Sequence, residues 1–418
     1  MQLCIFEDNN YSNFEPLVFS RPVYDLRCGI DTLKVKIINS YKASKISLHC
    51  RSYITEIVKS ENPNYLVNEI IDNECLFLNG RIIAPENLSK ILPLSFSGNK
   101  IFVNGDTLIA AYLSGDLLRN VKGNLNESFS IKQFGGVLVE TIEINYASYL
   151  WDLIIQNGKQ ITEGFKTLTK NPELKNYVNK VDASVHILNR ENVFIGENVV
   201  IKPGVVLDAS EGPIIILDNT LIYPNAVIEG PVFIGKSSRI KIGATIYENV
   251  SIGNVCKVGG EVEGAIFMDY SNKQHSGFIG HAYIGSWVNL GADTNNSDLK
   301  NNYSKIKIKL SNKEVDSGLQ FLGLMIGDHS KSAINTMFNT GTVVGYSCNI
   351  FSAGFPDKYV PSFTWGGDKS SATYDINKAM ETAKIVMGRR NINFDSKYEQ
   401  MFKTIFEFTK SNRDKWGL

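Results

Sequence analysis

An apolar residue recurs at every sixth position through much of the second half of this chain. The longest unbroken run comprises Ile216, Ile222, Ile228, Ile234, Ile240, Ile246, Ile252 and Val258. A six-residue period matches neither one face of an α-helix nor the alternation of an ordinary half-buried strand. It is typical of a solenoid in which each hexad supplies one short strand and one turn, with the apolar side chain pointing inward. The sequence therefore predicts a β-solenoid.

The same period extends in both directions, with interruptions. It begins at Ile195, Ile201 and Leu207, resumes at Phe278, Ile284 and Leu290, and closes with Ile326, Ser332, Phe338, Val344 and Ile350. Between Val258 and Phe278 the rhythm breaks, and the break presents His275 among polar neighbours. In a solenoid, insertions of this kind leave the repeat as loops on one face. The histidine is therefore a candidate functional residue.

The first half has a different pattern, in which short apolar runs alternate with amphipathic segments. We expect strands at 3–7, 45–50 and 75–80, and helices near 30–41, 52–60 and 146–157. This alternation is typical of an α/β layer with a mainly parallel sheet. Residues 101–113 predict a hairpin, because alternating residues flank an Asn-Gly pair.

These patterns divide the chain into four parts. We expect an α/β domain at 1–165, a polar linker at 166–183, a solenoid domain at 184–355, and a C-terminal loop with two helices at 356–418. A chain of 418 residues is long for one compact core, which agrees with two domains.

Composition narrows the possible partners and location. Lys+Arg and Asp+Glu both total 43, so the net charge is zero, which argues against a nucleic-acid or anionic-membrane partner. The sequence shows neither a signal peptide nor a transmembrane span. The six cysteines have no metal-ligand spacing and are expected to be reduced thiols. The sequence therefore predicts a cytoplasmic protein.

Several longer motifs carry a resemblance to a known family. They are FSRPVYDLRCGI near the start, then CKVGGEVE, YSNKQH, GSWVNLGADTNNSDLKN, GDHSKSAINTMFNTGTVVG and PSFTWGG, which together span residues 19 to 367. The chain resembles the bifunctional UDP-N-acetylglucosamine pyrophosphorylase/glucosamine-1-phosphate N-acetyltransferase family, in a variant seen in Bacteroidetes. The resemblance implies an α/β nucleotidyltransferase-like domain, then a left-handed parallel β-helix of hexapeptide repeats with C-terminal helices. It also implies acetyl-CoA as acyl donor and a homotrimer.

Within that family, His275 takes the position of the catalytic base. A neutral imidazole near pH 7 suits removal of a proton from the attacking amine. Phe278 stands where the family usually has a tyrosine, and Glu263 stands where it has a lysine that contacts the sugar phosphate. Lys241 replaces a phosphate-binding arginine and keeps the charge but not the bidentate fork. A polar loop histidine and a solvated lysine are the simpler interpretations of His275 and Lys241.

The segment 288–303 matches a family loop in which asparagines contact the amino sugar, with Asn289 as the best match. The other candidates in this loop are Asn295, Asn296, Asp298 and Lys300. A plain turn-rich loop would use the same residue types to satisfy its own backbone.

The segment 327–345 resembles the coils that line the acetyl-CoA groove. The resemblance implies donor contacts from Lys331 and His329, and from Arg389 near the end of the chain. Paired arginines on a helix are more often solvent-facing.

The N-terminal domain departs from the family at its phosphate loop. Family members follow the first strand with a Gly-rich loop that cradles phosphates, whereas here no glycine occurs before Gly29. Arg21 and Arg27 are candidate nucleotide-binding residues in its place. Arg81, a third candidate, occupies the position of the family's Mg²⁺-binding aspartate, while the hairpin explains Gly105-Asp106. Mg²⁺ is expected only if this domain is active.

Three functions therefore remain open. The first is acetylation of glucosamine 1-phosphate coupled to a nucleotidyltransferase-like domain, in the synthesis of UDP-N-acetylglucosamine or a related nucleotide sugar. The second is nucleotidyl transfer alone, with the solenoid serving oligomerisation. The third is a non-catalytic scaffold that binds a sugar nucleotide.

Overall fold

The computed structural model describes residues 1–123, 125, 127–130, 136–311, 313–368 and 370–418. The N-terminal strands are β1 Gln2–Phe6, β2 Arg27–Cys28, β3 Asp31–Thr32, β4 Lys45–Leu48, β5 Leu66–Val67, β6 Glu74–Asn79, β7 Lys100–Asn104, β8 Thr107–Ser114 and β9 Leu138–Thr141. The helices of this part are α1 Leu33–Asn39, α2 Thr55–Glu61, α3 Leu88–Ile91, α4 Gly115–Gly123 and α5 Leu150–Thr169.

Seven of these strands form one sheet in the order β5-β4-β1-β6-β8-β7-β9. The first four are parallel to one another, and β7 and β8 form an antiparallel hairpin around Gly105-Asp106. The predicted parallel core and the predicted hairpin are both confirmed. Helix α5 runs past the expected boundary at 165 and ends at Thr169.

The second half coils regularly. Its strands are β10 His186–Leu188, β11 Val193–Ile195, β12 Val200–Ile201, β13 Val206–Asp208, β14 Ile214–Ile216, β15 Leu221–Ile222, β16 Val227–Glu229, β17 Val232–Ile234, β18 Arg239–Ile240, β19 Thr245–Ile246, β20 Val250–Ile252, β21 Lys257–Val258, β22 Glu261–Glu263, β23 Ile266–Phe267, β24 Asn272–Lys273, β25 Phe278–Gly280, β26 Tyr283–Ile284, β27 Asn295–Asn296, β28 Lys307–Lys309, β29 Glu314–Asp316, β30 Met325–Ile326, β31 Lys331–Ser332, β32 Met337–Phe338, β33 Val343–Val344, β34 Asn349–Ile350, β35 Tyr359–Val360, β36 Thr364–Gly366 and β37 Ala372–Thr373.

Every third strand joins the same parallel sheet, which makes a β-helix with three faces. Face A contains β10, β13, β16, β19, β22 and β25, and face B runs from β11 to β35. Face C contains β12, β15, β18, β21 and β24, and isolated bridges through Asn289 connect it to β31. All eight residues of the longest hexad run are fully buried in one core, so the predicted solenoid is confirmed.

The repeat resumes one residue later than the spacing predicts. Ile279, not Phe278, is fully buried in the core, and it pairs in register with Val262. Lys273 fills an inward position in the coil before it and is 1% exposed. Its ammonium donates to the carbonyls of Gly259 and His275, each at 2.9 Å. The spacing shortens earlier, because the buried Val258, Val262 and Phe267 follow one another after four and five residues. Lys273 keeps the six-residue step from Phe267 and places a charged side chain at an inward position.

The N-terminal domain packs directly on face B. Asn157 of α5 accepts from the amide of Gly29 at 2.7 Å and donates to the carbonyl of Asn249 at 2.8 Å. Ser251, on an outward position of β20, donates to the carbonyl of Gly29 at 2.9 Å. Face B is thereby covered, while faces A and C keep exposed side chains.

The chain ends in three helices rather than the expected two: α6 Ile376–Gly388, α7 Ser396–Phe408 and α8 Lys410–Trp416. Their apolar side chains, among them Met380 and Phe402, join the core of the N-terminal domain. Among the described residues, no helix has the length and apolar character needed to cross a bilayer.

Candidate functional site

The three corners of the β-helix carry the polar residues singled out by the sequence. The corner between faces C and A carries Lys241 and, two coils higher, His275. The corner between faces A and B carries Glu263 and His281. The corner between faces B and C carries His329. The predicted site residues therefore separate into groups on different edges.

His275 projects from the C/A corner. It is exposed, and its side chain has no hydrogen-bond partner among the residues the structure describes. Lys241 lies on the same edge, since a Cβ on Gly259 in the coil between would meet the Lys241 Cβ at 2.9 Å. With strands about 4.8 Å apart, two coils separate the pair by about 10 Å. That separation leaves room for a small phosphorylated substrate between base and cation.

Face C beside this corner carries a basic cluster, formed by Arg239, Lys241, Lys257, Arg389 and Arg390. Burial and then the positive charges of Arg390, Arg239, Arg389 and Lys241 lower the pKa of Lys257. Within the described parts of the chain, none of the five forms an ion pair. Five cations without a counter-charge attract an anion such as a phosphate. The structure thus brings together Lys241 and Arg389, which the sequence assigned to different ligands.

Asn289 and Lys331 lie on the outer side of face C. Asn289 is exposed and bridges the backbones of Asn272 and Lys331. The ammonium of Lys331 donates to the carbonyl of His329 at 2.8 Å, and burial lowers the pKa of Lys331 to about 8. Both residues therefore adjoin the row of strands that carries the basic cluster.

His329 is not on an open groove. It is 4% exposed and packs against Phe402 and Tyr346, with ring centroids 5.1 and 5.8 Å away. Burial lowers its pKa well below the usual range, so the imidazole is neutral. The expected contact with an acyl donor on the β-helix surface is wrong for this residue, because the C-terminal helices cover it.

Two of the other loop candidates, Asn295 and Asn296, form β27, which stacks on β25 of face A. The side-chain oxygens of Asn295 and Asn296 accept from the amides of Phe278 and Gly280, at 2.8 and 3.1 Å. Here the two side-chain oxygens take the place of backbone carbonyls as acceptors for the amides of β25. Lys300 donates to the carbonyl of Lys305 at 2.6 Å and so closes its own loop.

A second histidine, His281, which the sequence did not single out, has its ring oriented by a carboxylate, an arrangement that suits proton transfer. Nδ1 of His281 lies 2.8 Å from Oδ2 of Asp298, a contact that fixes the ring and leaves Nε2 free to act. Burial raises the pKa of Glu263, and the nearby Asp298 adds to the rise. The signal for His281 was a histidine at a repeat corner, but Asp298 is 17 residues away and only coil stacking joins the two.

The carboxyl end of β1, where a phosphate loop would begin, is filled by buried ion pairs. Arg81 is 1% exposed and pairs with Asp8 through two nitrogens, with the Nε–Oδ1 distance 3.0 Å. Arg51 and Glu7 form a second pair at 3.1 Å. Arg81 also donates to the carbonyl of Ala147 at 2.7 Å. The expectation that Arg81 binds nucleotide is wrong, because its guanidinium is enclosed and its donors are used.

The residues here do not fit a Mg²⁺ ion. Asp8 and Asp106 line one cavity at this end of the sheet, but Asp8 is already neutralised by Arg81. Among the described residues, no group of three or more His, Cys, Asp or Glu side chains could hold a metal.

The side chains of Arg21 and Arg27 reach from the N-terminal domain to the β-helix. Arg21 pairs with Asp328 and Arg27 with Asp269, both on the B/C corner of the β-helix. The segment that replaces the phosphate loop therefore ties the two domains together.

Comparisons with known proteins agree with the resemblance. Residues 3–173 match the family described as sugar nucleotidyl transferase. The "Bifunctional protein GlmU" of Methanocaldococcus jannaschii is 26% identical over 322 residues, covering 71% of this chain and 75% of that protein. A "Bifunctional sugar-1-phosphate nucleotidylyltransferase/acetyltransferase" of Sulfurisphaera tokodaii is 30% identical over 157 residues, 38% of this chain and 37% of that protein.

Among solved structures, LpxA, a UDP-N-acetylglucosamine acyltransferase from Bacteroides fragilis 9343, is 18% identical to this chain. The match covers 56% of this chain and 83% of the LpxA chain. The TM-score is 0.31. The sequence matches confirm the resemblance to the bifunctional transferases.

Proposed function

We propose that this protein is a transferase whose β-helix acetylates an amino-sugar phosphate, with glucosamine 1-phosphate as acceptor and acetyl-CoA as donor. The reaction would serve the synthesis of UDP-N-acetylglucosamine or a related nucleotide sugar. The observation that carries this proposal is the basic cluster of face C beside the exposed His275. Similarity to bifunctional acetyltransferases supports the same reaction class.

In the proposed reaction, the basic cluster holds the phosphate and His275 faces the amine. The amine nitrogen attacks the thioester carbonyl and forms the amide bond, while the carbon–sulfur bond breaks and coenzyme A leaves. The imidazole takes the proton from the amine and returns it to the departing thiolate. Atoms and charge balance in this reaction without a metal ion.

We further propose that the N-terminal domain does not carry out nucleotidyl transfer. The buried Asp8–Arg81 pair supports this, because it removes the carboxylate and the space that a metal-bound triphosphate needs. Nucleotidyl transfer as the only activity, with the β-helix serving oligomerisation, is correspondingly disfavoured.

The proposed assembly is a homotrimer in the cytoplasm. Face B is covered by the N-terminal domain, so neighbouring subunits would meet through faces A and C. Ile242 and Ile334 at the C/A corner are 67% and 68% exposed and would be covered by such contacts. The six described cysteines are all buried free thiols, which suits a reducing compartment.

The test is release of coenzyme A thiol from acetyl-CoA in the presence of glucosamine 1-phosphate. We expect His275→Ala to lower kcat by about 10²- to 10⁴-fold, the range for loss of a general base. The matched control is His186→Ala, an exposed histidine on β10 five coils below, which should leave kcat unchanged.

The variant His281→Ala tests which corner of the β-helix carries the reaction, the C/A corner with His275 or the A/B corner with His281. If His275 is the base, this variant keeps most of its kcat, and Lys241→Met raises KM for the sugar phosphate. Loss of turnover in His281→Ala with full activity in His275→Ala would move the reaction to the A/B corner. Absence of turnover in the wild type would reject glucosamine 1-phosphate as the acceptor.

A further inference from the structure

The C/A corner carries two strongly exposed isoleucines, one on each side of His275 along the β-helix. Ile242 is 67% exposed and lies two coils below the histidine. Ile334 is 68% exposed and lies two coils above it. With strands about 4.8 Å apart, each isoleucine is about 10 Å from the level of His275. The proposed base is therefore bounded at both ends by an apolar side chain.

The coil between His275 and Ile334 forms a notch in this corner. The turns that hold His275, residues 291–292 and Ile334 stack directly, joined by amide-to-carbonyl hydrogen bonds of 3.1 and 2.7 Å. Residues 291–292 are a glycine and an alanine. A Cβ on Gly291 would come within 2.5 Å of the backbone of Ala333, so no side chain fits there unless the coil above moves. The corner is therefore low directly above the base and rises again at Ile334.

The basic cluster of face C decides which side of the base each substrate can occupy. Lys241 shares a coil with Ile242, and Lys257 lies on the coil above them. An acceptor whose phosphate is held there fills the corner below His275. The acyl donor then reaches the amine from above, over the notch. This direction agrees with the segment 327–345, which resembles the coils that line the acetyl-CoA groove.

We propose that Ile334 closes the upper end of this notch and thereby selects acetyl over longer acyl groups. Ile334 acts in this way only if the proposed function holds, since the acyl donor must lie above His275. An acetyl group ends in one methyl beyond the carbonyl, whereas a butyryl group extends two methylenes further towards Ile334. Because a β-branched side chain is restricted at χ1, isoleucine makes a stiff wall. A neighbouring subunit packed against the corner would cover the open side of the notch and leave this wall in place.

Such a wall makes the rate depend sharply on acyl length. Each methylene that a pocket of fixed size does not accommodate lowers kcat/KM by about 10- to 200-fold. If the corner were open instead, each added methylene would gain burial and strengthen binding by about fourfold. The two cases therefore differ in direction as well as in size.

The test compares acetyl-CoA, propionyl-CoA and butyryl-CoA as donors to glucosamine 1-phosphate, with thiol release as the readout. In the wild type we expect kcat/KM to be at least about tenfold lower for butyryl-CoA than for acetyl-CoA. Ile334→Ala removes the wall and should raise the butyryl-to-acetyl ratio of kcat/KM by at least about tenfold. Both donors are measured on one preparation, so a partly unfolded variant gives the same ratio.

Ile242→Ala is the matched control. It removes the same type of side chain, at nearly the same exposure and distance from His275, but below the base. It should leave the butyryl-to-acetyl ratio unchanged. Both isoleucines are proposed to meet a neighbouring subunit, so a change caused by altered assembly would appear in both variants.

Calorimetric titration with acetyl-CoA and butyryl-CoA, without acceptor, separates the role of Ile334 from the choice of acceptor. Tighter binding of acetyl-CoA by the wild type, with the preference lost in Ile334→Ala, would support the wall even if glucosamine 1-phosphate is not acetylated. Equal binding of the two donors by the wild type, no saturable binding of either donor, an unchanged preference in Ile334→Ala, or the same change in Ile242→Ala would overturn the proposal.

Discussion

Lys273 allows a direct measurement of what a buried ammonium inside the β-helix costs in stability. Its side chain occupies a position that isoleucine or valine fills in other coils, and burial lowers its pKa to about 8. Replacing it with methionine keeps the apolar stem and removes the ammonium. The informative quantity is how the difference in stability between the two proteins changes with pH.

The sign follows from the proton balance. An unfolded lysine has a pKa of about 10.4. Between about pH 8 and pH 10.4 the folded Lys273 has lost its proton while the unfolded one retains it, so raising the pH stabilises the folded wild type. At about 1.36 kcal/mol for each unit, the gain relative to Lys273→Met is about 2.5 kcal/mol between pH 7 and pH 10. The variant shares every other titrating group, so those contributions cancel.

Urea unfolding at pH 7, 8, 9 and 10, followed by far-UV circular dichroism, measures this difference. Lys202→Met is the matched control, because Lys202 is exposed on the same C/A corner of a lower coil, and its difference from wild type should not change with pH. A flat difference for Lys273→Met, or one that falls as pH rises, would refute the claim that the ammonium of Lys273 is buried inside the β-helix.

Three further outcomes are expected. Asp8→Asn leaves the Arg81 charge buried without its partner and should lower the free energy of unfolding by about 3–5 kcal/mol, measured by urea unfolding. Phe402→Ala removes a fully buried ring that contacts His329 and should cost about 3–5 kcal/mol, with increased amide exchange in α7 measured by mass spectrometry. Light scattering should give three chain masses in solution, and charged substitution at Ile242 should reduce this to one; a single chain mass for the wild type would reject the trimer.

The regular part of this protein could be predicted because its signal is local. Each hexad carries its own inward residue and its own turn, so Ile216 to Val258 define the coils without reference to distant residues. The Asn-Gly hairpin is local in the same way. Phe278 was misassigned because a gap in the repeat hides how many residues the gap contains. Only strand pairing showed that Ile279 follows Val262 inward.

The same distinction between local signals and distant partners applies to the residues of the candidate site. The sequence drew attention to His275 and Lys241 through the broken repeat and the family motifs, and they do lie on one edge. It could not show that Arg389 and Arg390 return to face C, because the helices between them and the β-helix set that path. It also assigned Arg81 to a nucleotide, whereas the interior of the sheet gives it to Asp8.

By itself, then, the sequence determined that this chain would coil into a β-helix after an α/β domain, since both follow from periodic burial of apolar side chains. Tertiary structure alone decided which charges meet: Asp298 with His281, Arg21 with Asp328, and five cations on one face. Electrostatic and hydrogen-bond partners are chosen by position in space. In a solenoid with insertions, that position depends on how many residues each coil consumes.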